Sequence, residues 1–228
     1  MSEVKQKIIL FFLITFSIYC ALIIGQSWDE ATHLAQGGIT LKYLFSLGKI
    51  DTEIIYRENY SSIYWSIQYF ITKIFPQKYE VQISHLVNLF FSILAIFGIS
   101  KLCKILFNRI VGKIVFIILF LYPVFFGHMG FNSKDTILAF SHIWITYYIF
   151  DYLKNQKFYK KKNIFFISIL ASLSTGIQIV FLGSLLPLFL FVLLEIFFIK
   201  KIISKNFNKK KLFYDSIKIF FIFYFLLI

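Results

Sequence analysis

The chain has 228 residues, 59% of them hydrophobic and 21% aromatic, with 31 Phe and only 15% charged residues. A soluble domain of this length could not hide so much apolar surface, so the composition excludes one and points to an all-α polytopic membrane protein. The net charge of +13 comes from Lys runs that alternate with apolar stretches, which reads as membrane orientation and argues against a nucleic-acid partner.

The N-terminus, Met-Ser-Glu-Val-Lys-Gln-Lys before an apolar run, has no small-x-small cleavage site and reads as an uncleaved first helix. Residues 8–28 carry no charge and end on the acid pair Asp29-Glu30. At ~1.5 Å of rise per residue they are long enough to cross a bilayer. A long loop, 29–80, follows. Asp29 would open an interfacial helix running to about residue 47. Residues 63–75 are apolar but too short to span, and suit a second helix lying in the interface. Further membrane helices are expected at 81–103, 108–127, 135–153, 164–182 and 185–203. The last two divide one long uncharged run, with a tight turn placed at Gly183, Ser184 and Pro187. Residues 216–228 read as a seventh helix cut in its middle, so the chain is expected to be the N-terminal part, 1–228, of a longer transmembrane domain. Cys20 and Cys103 both lie in apolar stretches and imply no disulfide framework. Asn59-Tyr60-Ser61 is a glycosylation sequon, relevant only in an ER-type compartment.

Basic residues set the orientation. Beyond Lys5 and Lys7 they cluster at 101–113, 154–162 and 200–211. Cytoplasmic loops carry the Lys/Arg excess, so all three clusters belong inside, with an even number of crossings between neighbours. The loop 29–80, the short loop 127–135 and the turn near Gly183 then face outside.

Two places on that outer side could carry chemistry. The first is Trp28-Asp29-Glu30-Ala31-Thr32-His33. If a helix starts here, Asp29 and His33 are four apart and share a face. Helix capping and a topology stop are the plain reading; a base, or a divalent metal held by Glu30 and His33, is the functional one. The second is the loop with His128, Asn132, Ser133, Lys134 and Asp135 just before the fourth helix. A cation at a helix N-terminus suits a bound anion; the plain reading is that Asn132 or Ser133 caps the helix and Asp135 sits in its first turn. A carboxylate here can take a proton from an alcohol while Lys and His neutralise a phosphate leaving group. Other polar groups within the apolar runs are Gln82, His85, Asn88, His142, Asp151, Gln178 and Glu195. Asp151 and Glu195 lie near cytoplasmic ends, where Lys partners suffice, and His85 and His142 suit packing or inter-helix hydrogen bonds.

An acid pair directly after the first helix, a long external loop with interfacial helices, and Asn132-Ser133-Lys134-Asp135 before the fourth helix resemble the GT-C glycosyltransferases. The resemblance is to the branch of dolichyl-phosphate-mannose protein mannosyltransferases and bacterial lipid A aminoarabinose transferases, and covers roughly residues 8–155. It implies a GT-C-like helix bundle that moves a sugar from a polyprenyl-phosphate donor to a hydroxyl of a lipid, glycan or protein acceptor. The reaction would occur at the outer face of a bacterial inner (plasma) membrane. Asp29 would be the catalytic base, with Glu30 supporting it or binding a metal, the possible cofactor being a divalent ion. Lys134, with His128, Arg57 and Asn132, would hold the phosphate or substrate, and Asp135 would orient Lys134 or the acceptor. The chain departs from the family in having Ser133 where Pro is usual, and Tyr60-Ser61-Ser62-Ile63-Tyr64 in place of a Pro-rich segment. The rival class is a multi-pass transporter or lipid flippase. It would want ionisable groups near the midplane and paired broken helices; here the acids sit at the outer edge and Pro123 and Pro187 have no matching repeat. A structural membrane subunit, in which Asp29 would be replaceable, is a third class.

Overall fold

The computed structural model describes residues 3–49, 63–156, 161–204 and 206–227. All regular structure among them is helical. The helices are α1 (Glu3–Ile23), α2 (Glu30–Phe45), α3 (Ile63–Thr72), α4 (Glu80–Leu106), α5 (Arg109–Leu121), α6 (Pro123–His128), α7 (Ser133–Asn155), α8 (Lys161–Ile177), α9 (Val180–Leu194) and α10 (Lys209–Leu227). A 3-10 turn, Gln77–Tyr79, leads into α4, and a π-helical turn, Glu195–Ile199, extends α9.

Among the described residues, three helical stretches are long and apolar enough to cross a membrane: Val4–Ile23, Gln77–Leu106 and Val180–Ile199. That is fewer than the six complete spans expected. The run expected at 108–127 is split, because Pro123 has no amide hydrogen and forces Tyr122 into an extended conformation (φ −70°, ψ 114°). The remaining expected spans are helical but do not meet the same criterion: α8 has only 17 residues, while α7 and α10 dilute their apolar residues with charged and polar ones. Large apolar side chains such as Phe11, Phe12, Phe198 and Phe225 are exposed, as lipid-facing groups are.

Several boundaries differ from expectation. The first helix stops at Ile23 rather than at Trp28, where Gly25 interrupts it and Glu30 accepts the Ser27 amide. The turn expected at Gly183–Pro187 lies instead at Gln178 and Ile179, and α9 runs through both Gly183 and Pro187. A proline ring collides with the carbonyl four residues back. Helix α9 nonetheless continues through Pro187. The last helix starts at Lys209, well before 216, because Asn208 Oδ1 accepts the Lys211 amide at 3.0 Å and caps it.

The chain divides into two compact units, Met1–Ile96 with Ile117–Ile137, and Phe97–Phe116 with Leu138–Ile228. In the first, α2 packs closely on α3. A Cβ on Gly37 would lie 2.3 Å from the Trp65 carbonyl oxygen, and one on Gly38 would meet the Tyr69 ring at 2.8 Å. Two adjacent glycines let the backbones touch. Helix α3, expected to lie in the interface, buries one face against the protein: Tyr64, Trp65, Ser66, Gln68 and Thr72 are buried while Ile63, Ile67 and Phe70 face outward. That is an inverted amphipathic helix, polar inward, as suits an apolar surrounding. In the second unit, Ile145, Phe150, Ile167, Leu170, Phe181 and Leu185 form the apolar core. Glu195 is also buried there. Among the described residues it has no lysine partner; its Oε1 accepts the amides of Ile202 and Ile203 and ties down the turn after the π-helical segment.

Candidate active site

The site is built in the first unit, where the end of α1, the start of α2, and helices α3, α4 and α7 meet. The two acids of the pair behave differently. Asp29, the N-cap of α2, is 63% exposed at its side chain. Its carboxylate makes no capping bond to α2; it accepts the Ser27 hydroxyl at 3.0 Å and lies 4.0 Å from His33 Nδ1 one turn on. Glu30 is only 4% exposed. Its Oε2 accepts the Ser27 amide at 2.5 Å, and its Oε1 is 2.7 Å from Nε2 of the fully buried His85.

The tautomer of His85 follows from its partners. Nδ1 lies 2.9 Å from the Ala21 carbonyl oxygen, which can only accept, so Nδ1 carries a hydrogen. One further proton is then shared between Nε2 and Glu30 Oε1. On Nε2 it makes an ion pair; on Oε1 it makes a neutral pair. Either way Glu30 joins α1, α2 and α4 at one point. The sequence left His85 to packing or inter-helix hydrogen bonds, and it makes two such bonds.

The second candidate loop is pinned to the same place. Asn88 Nδ2 and Ser92 Oγ both donate to the Met129 carbonyl, at 3.2 and 3.0 Å. Asn88 Oδ1 in turn accepts the Tyr64 hydroxyl at 3.2 Å; burial pushes that phenol up, so it stays a neutral donor. A Cβ on Gly130 would sit 3.6 Å from that of Ala21, which places the loop against the same turn of α1 that holds His85.

Trp65 makes the second link. Its ring stacks on His33 with centroids 4.0 Å apart and planes 9° apart, and its Nε1 donates to Ser133 Oγ at 3.1 Å. The exposed carboxylate of Asp29 is thus joined through His33 and Trp65 to Ser133, the residue before Lys134. The sequence suggested the two clusters by topology alone; these contacts bring them to one edge.

Asn132 and Asp135 have a local task. Asn132 Oδ1 accepts the Asp135 amide and its Nδ2 donates to Asp135 Oδ2, both at 3.0 Å. This is a capping arrangement at the start of α7, and it fixes the direction of the helix that carries Lys134. His128 lies near Asn132, 3.4 Å from Nδ1 to Nδ2, and is exposed. Arg57 lies outside the described residues.

The pairing of Glu30 and His33 as metal ligands does not fit. Glu30 is turned to His85 and the Ser27 amide, while His33 is stacked on Trp65. Among the described residues no group of three or more His, Cys, Asp and Glu is placed to hold a metal ion. Sequence reasoning missed Trp65 and Ser92, and gave Ser133 only as a helix cap. A signal existed on α4, where Ser84, His85, Asn88 and Ser92 recur on one helical face. Comparison with protein-family models, with curated proteins and with solved structures finds no match to this chain.

Proposed function

We propose that the chain is a glycosyltransferase of the external membrane face, moving a sugar from a polyprenyl-phosphate donor to an acceptor hydroxyl. The observation that supports it is the bridge from Asp29 through His33 and Trp65 to Ser133. It gathers an exposed carboxylate and the cation-bearing start of α7 at one edge of an otherwise apolar molecule. Asp29 takes the proton of the acceptor hydroxyl as that oxygen bonds to the anomeric carbon. The bond between that carbon and the phosphate oxygen breaks, and the lipid phosphate leaves with its charge met by Lys134 and His128. Glu30, held by His85, positions the corner that carries Asp29. Asn132 and Asp135 hold the start of α7 in line. Membrane lipid surrounds the site, and the Lys clusters keep it outside.

The test is transfer of a labelled sugar from a polyprenyl-phosphate donor by the purified chain in vesicles. Loss of a general base costs roughly 10²–10⁴-fold, so Asp29→Asn is expected to fall by that range while remaining folded. Undiminished transfer by the variant would sink the assignment of the base. No transfer by either protein would favour the transporter or structural classes.

A further inference from the structure

The second unit holds a cavity of about 320 Å³ between α7, α8, α9 and α10. That falls at the small end of the ~300–1,000 Å³ typical of ligand sites. Leu153, Ile167, Val192, Ile196, Leu212 and Ile219 are among the residues that line it. The lining of α10 extends from Leu212 to Ile219 and that of α9 from Phe189 to Ile196, so the wall is about two helical turns, ~10 Å, tall.

One end is polar. Tyr152 and Asp215 line the cavity, and the Tyr152 hydroxyl donates to Asp215 Oδ2 at 3.0 Å. Asp215 Oδ1 lies 3.5 Å from Lys218 Nζ. Beyond Leu153 and Leu212, at one end of the cavity, the helices terminate in lysines. Lys154 closes α7, Lys161 and Lys162 open α8, Lys200 and Lys201 follow the π-helical turn, and Lys209, Lys210 and Lys211 open α10. Asp151 accepts from Asn155, Asp215 from Tyr152 with Lys218 beside it, and Glu195 Oε1 from the Ile202 and Ile203 amides, while Lys154 and Lys211 donate to the Ile105 and Gln156 carbonyls and Lys209 lies over the Phe197 ring. An apolar shaft below a lysine-rich rim complements a molecule with a hydrocarbon chain and an anionic head.

We infer that this cavity is a binding site for one acyl chain of an anionic membrane phospholipid, whose headgroup is held by the lysines at the rim. The site is separate from the proposed transfer chemistry and does not depend on it.

The test uses the purified chain in phosphatidylcholine vesicles carrying a trace of phosphatidylglycerol with a photoreactive diazirine in its acyl chain. Crosslinked peptides are mapped by mass spectrometry. Label is expected on Ile167, Val192 and Ile196, enriched about fivefold over the matching phosphatidylcholine probe, the effect of one lysine engaged at a membrane surface. Lys209→Gln with Lys210→Gln should reduce that preference, and Ile196→Trp, which fills the shaft, should abolish the label. Label confined to outward residues such as Phe198 and Phe220 would overturn the inference as ordinary lipid contact. Equal labelling by the two headgroups, or by a folded Ile196→Trp variant, would overturn it too. The headgroup comparison uses the unaltered chain, so a misfolded variant does not spare the inference.

Discussion

The Glu30–His85 pair allows a prediction that separates holding from chemistry. Replacing Glu30 by Ala removes the partner of His85 Nε2 and of the Ser27 amide, 2.7 and 2.5 Å away. His85 has no exposure, so water cannot take the vacated place without opening the packing. A buried polar group left unpaired costs ~1–3 kcal/mol, and breaking a buried ion pair costs ~3–5 kcal/mol. Glu30→Ala should therefore destabilise by at least ~1 kcal/mol if the pair is neutral and by ~3 kcal/mol or more if it is ionic. Glu30→Gln is different. The Gln carbonyl can accept the Ser27 amide while its NH2 donates to Nε2 of a neutral imidazole that still donates from Nδ1 to Ala21. Every bond is retained, so its cost should stay within ~1 kcal/mol for a neutral pair.

The assay is reversible unfolding in mixed micelles, followed by circular dichroism, for Glu30→Ala, His85→Ala, the double variant and Glu30→Gln. The two single losses should be strongly non-additive, since each orphans the same partner; coupling of ~0.5–3 kcal/mol is expected for residues in direct contact. Additive losses, or a Glu30→Ala cost below ~0.5 kcal/mol, would refute the description of the corner as a buried, bonded pair. Sugar transfer supplies the second readout. Glu30→Gln should keep activity if Glu30 only positions Asp29, and transfer lost by a fully stable Glu30→Gln would refute that role.

Gly37→Ala should be costly despite the small change, because its Cβ would lie 2.3 Å from the Trp65 carbonyl; overpacking of this kind costs ~1–3 kcal/mol, measurable in the same unfolding assay. Asn132→Ala removes the cap of α7 and should cost ~0.5–2 kcal/mol. Faster amide hydrogen exchange is expected at Asp135, whose bond to Asn132 Oδ1 is lost. Trp65→Phe keeps a ring against His33 but loses the donor to Ser133. It should cost ~0.5–1.5 kcal/mol in stability and lower transfer more than stability, which a comparison of the two assays would show.

How much of this was legible depends on what a residue type signals in an apolar surrounding. Charge-free runs revealed most helices, because a bilayer or a dry core tolerates few charges. They did not reveal the breaks. Pro123 and Pro187 offer the same cue, yet one ends a helix and the other lies inside one. The acid pair was visible as an edge, but the burial of Glu30 was not, since it rests on His85, 55 positions away. Trp65 was hidden for a related reason. In water, an apolar residue announces the interior; in a membrane it can equally well face outward, and Ile67 and Phe70 are exposed on the opposite side of α3. The informative pattern is then the polar one. Ser66, Gln68 and Thr72 on α3, and Ser84, His85, Asn88 and Ser92 on α4, mark the faces that turn inward. Pairings such as Gln68 Nε2 to Ser84 Oγ at 2.7 Å follow from those two faces meeting. Read by polar spacing instead of apolar spacing, the same sequence places His85 and Asn88 on the face that supports Asp29.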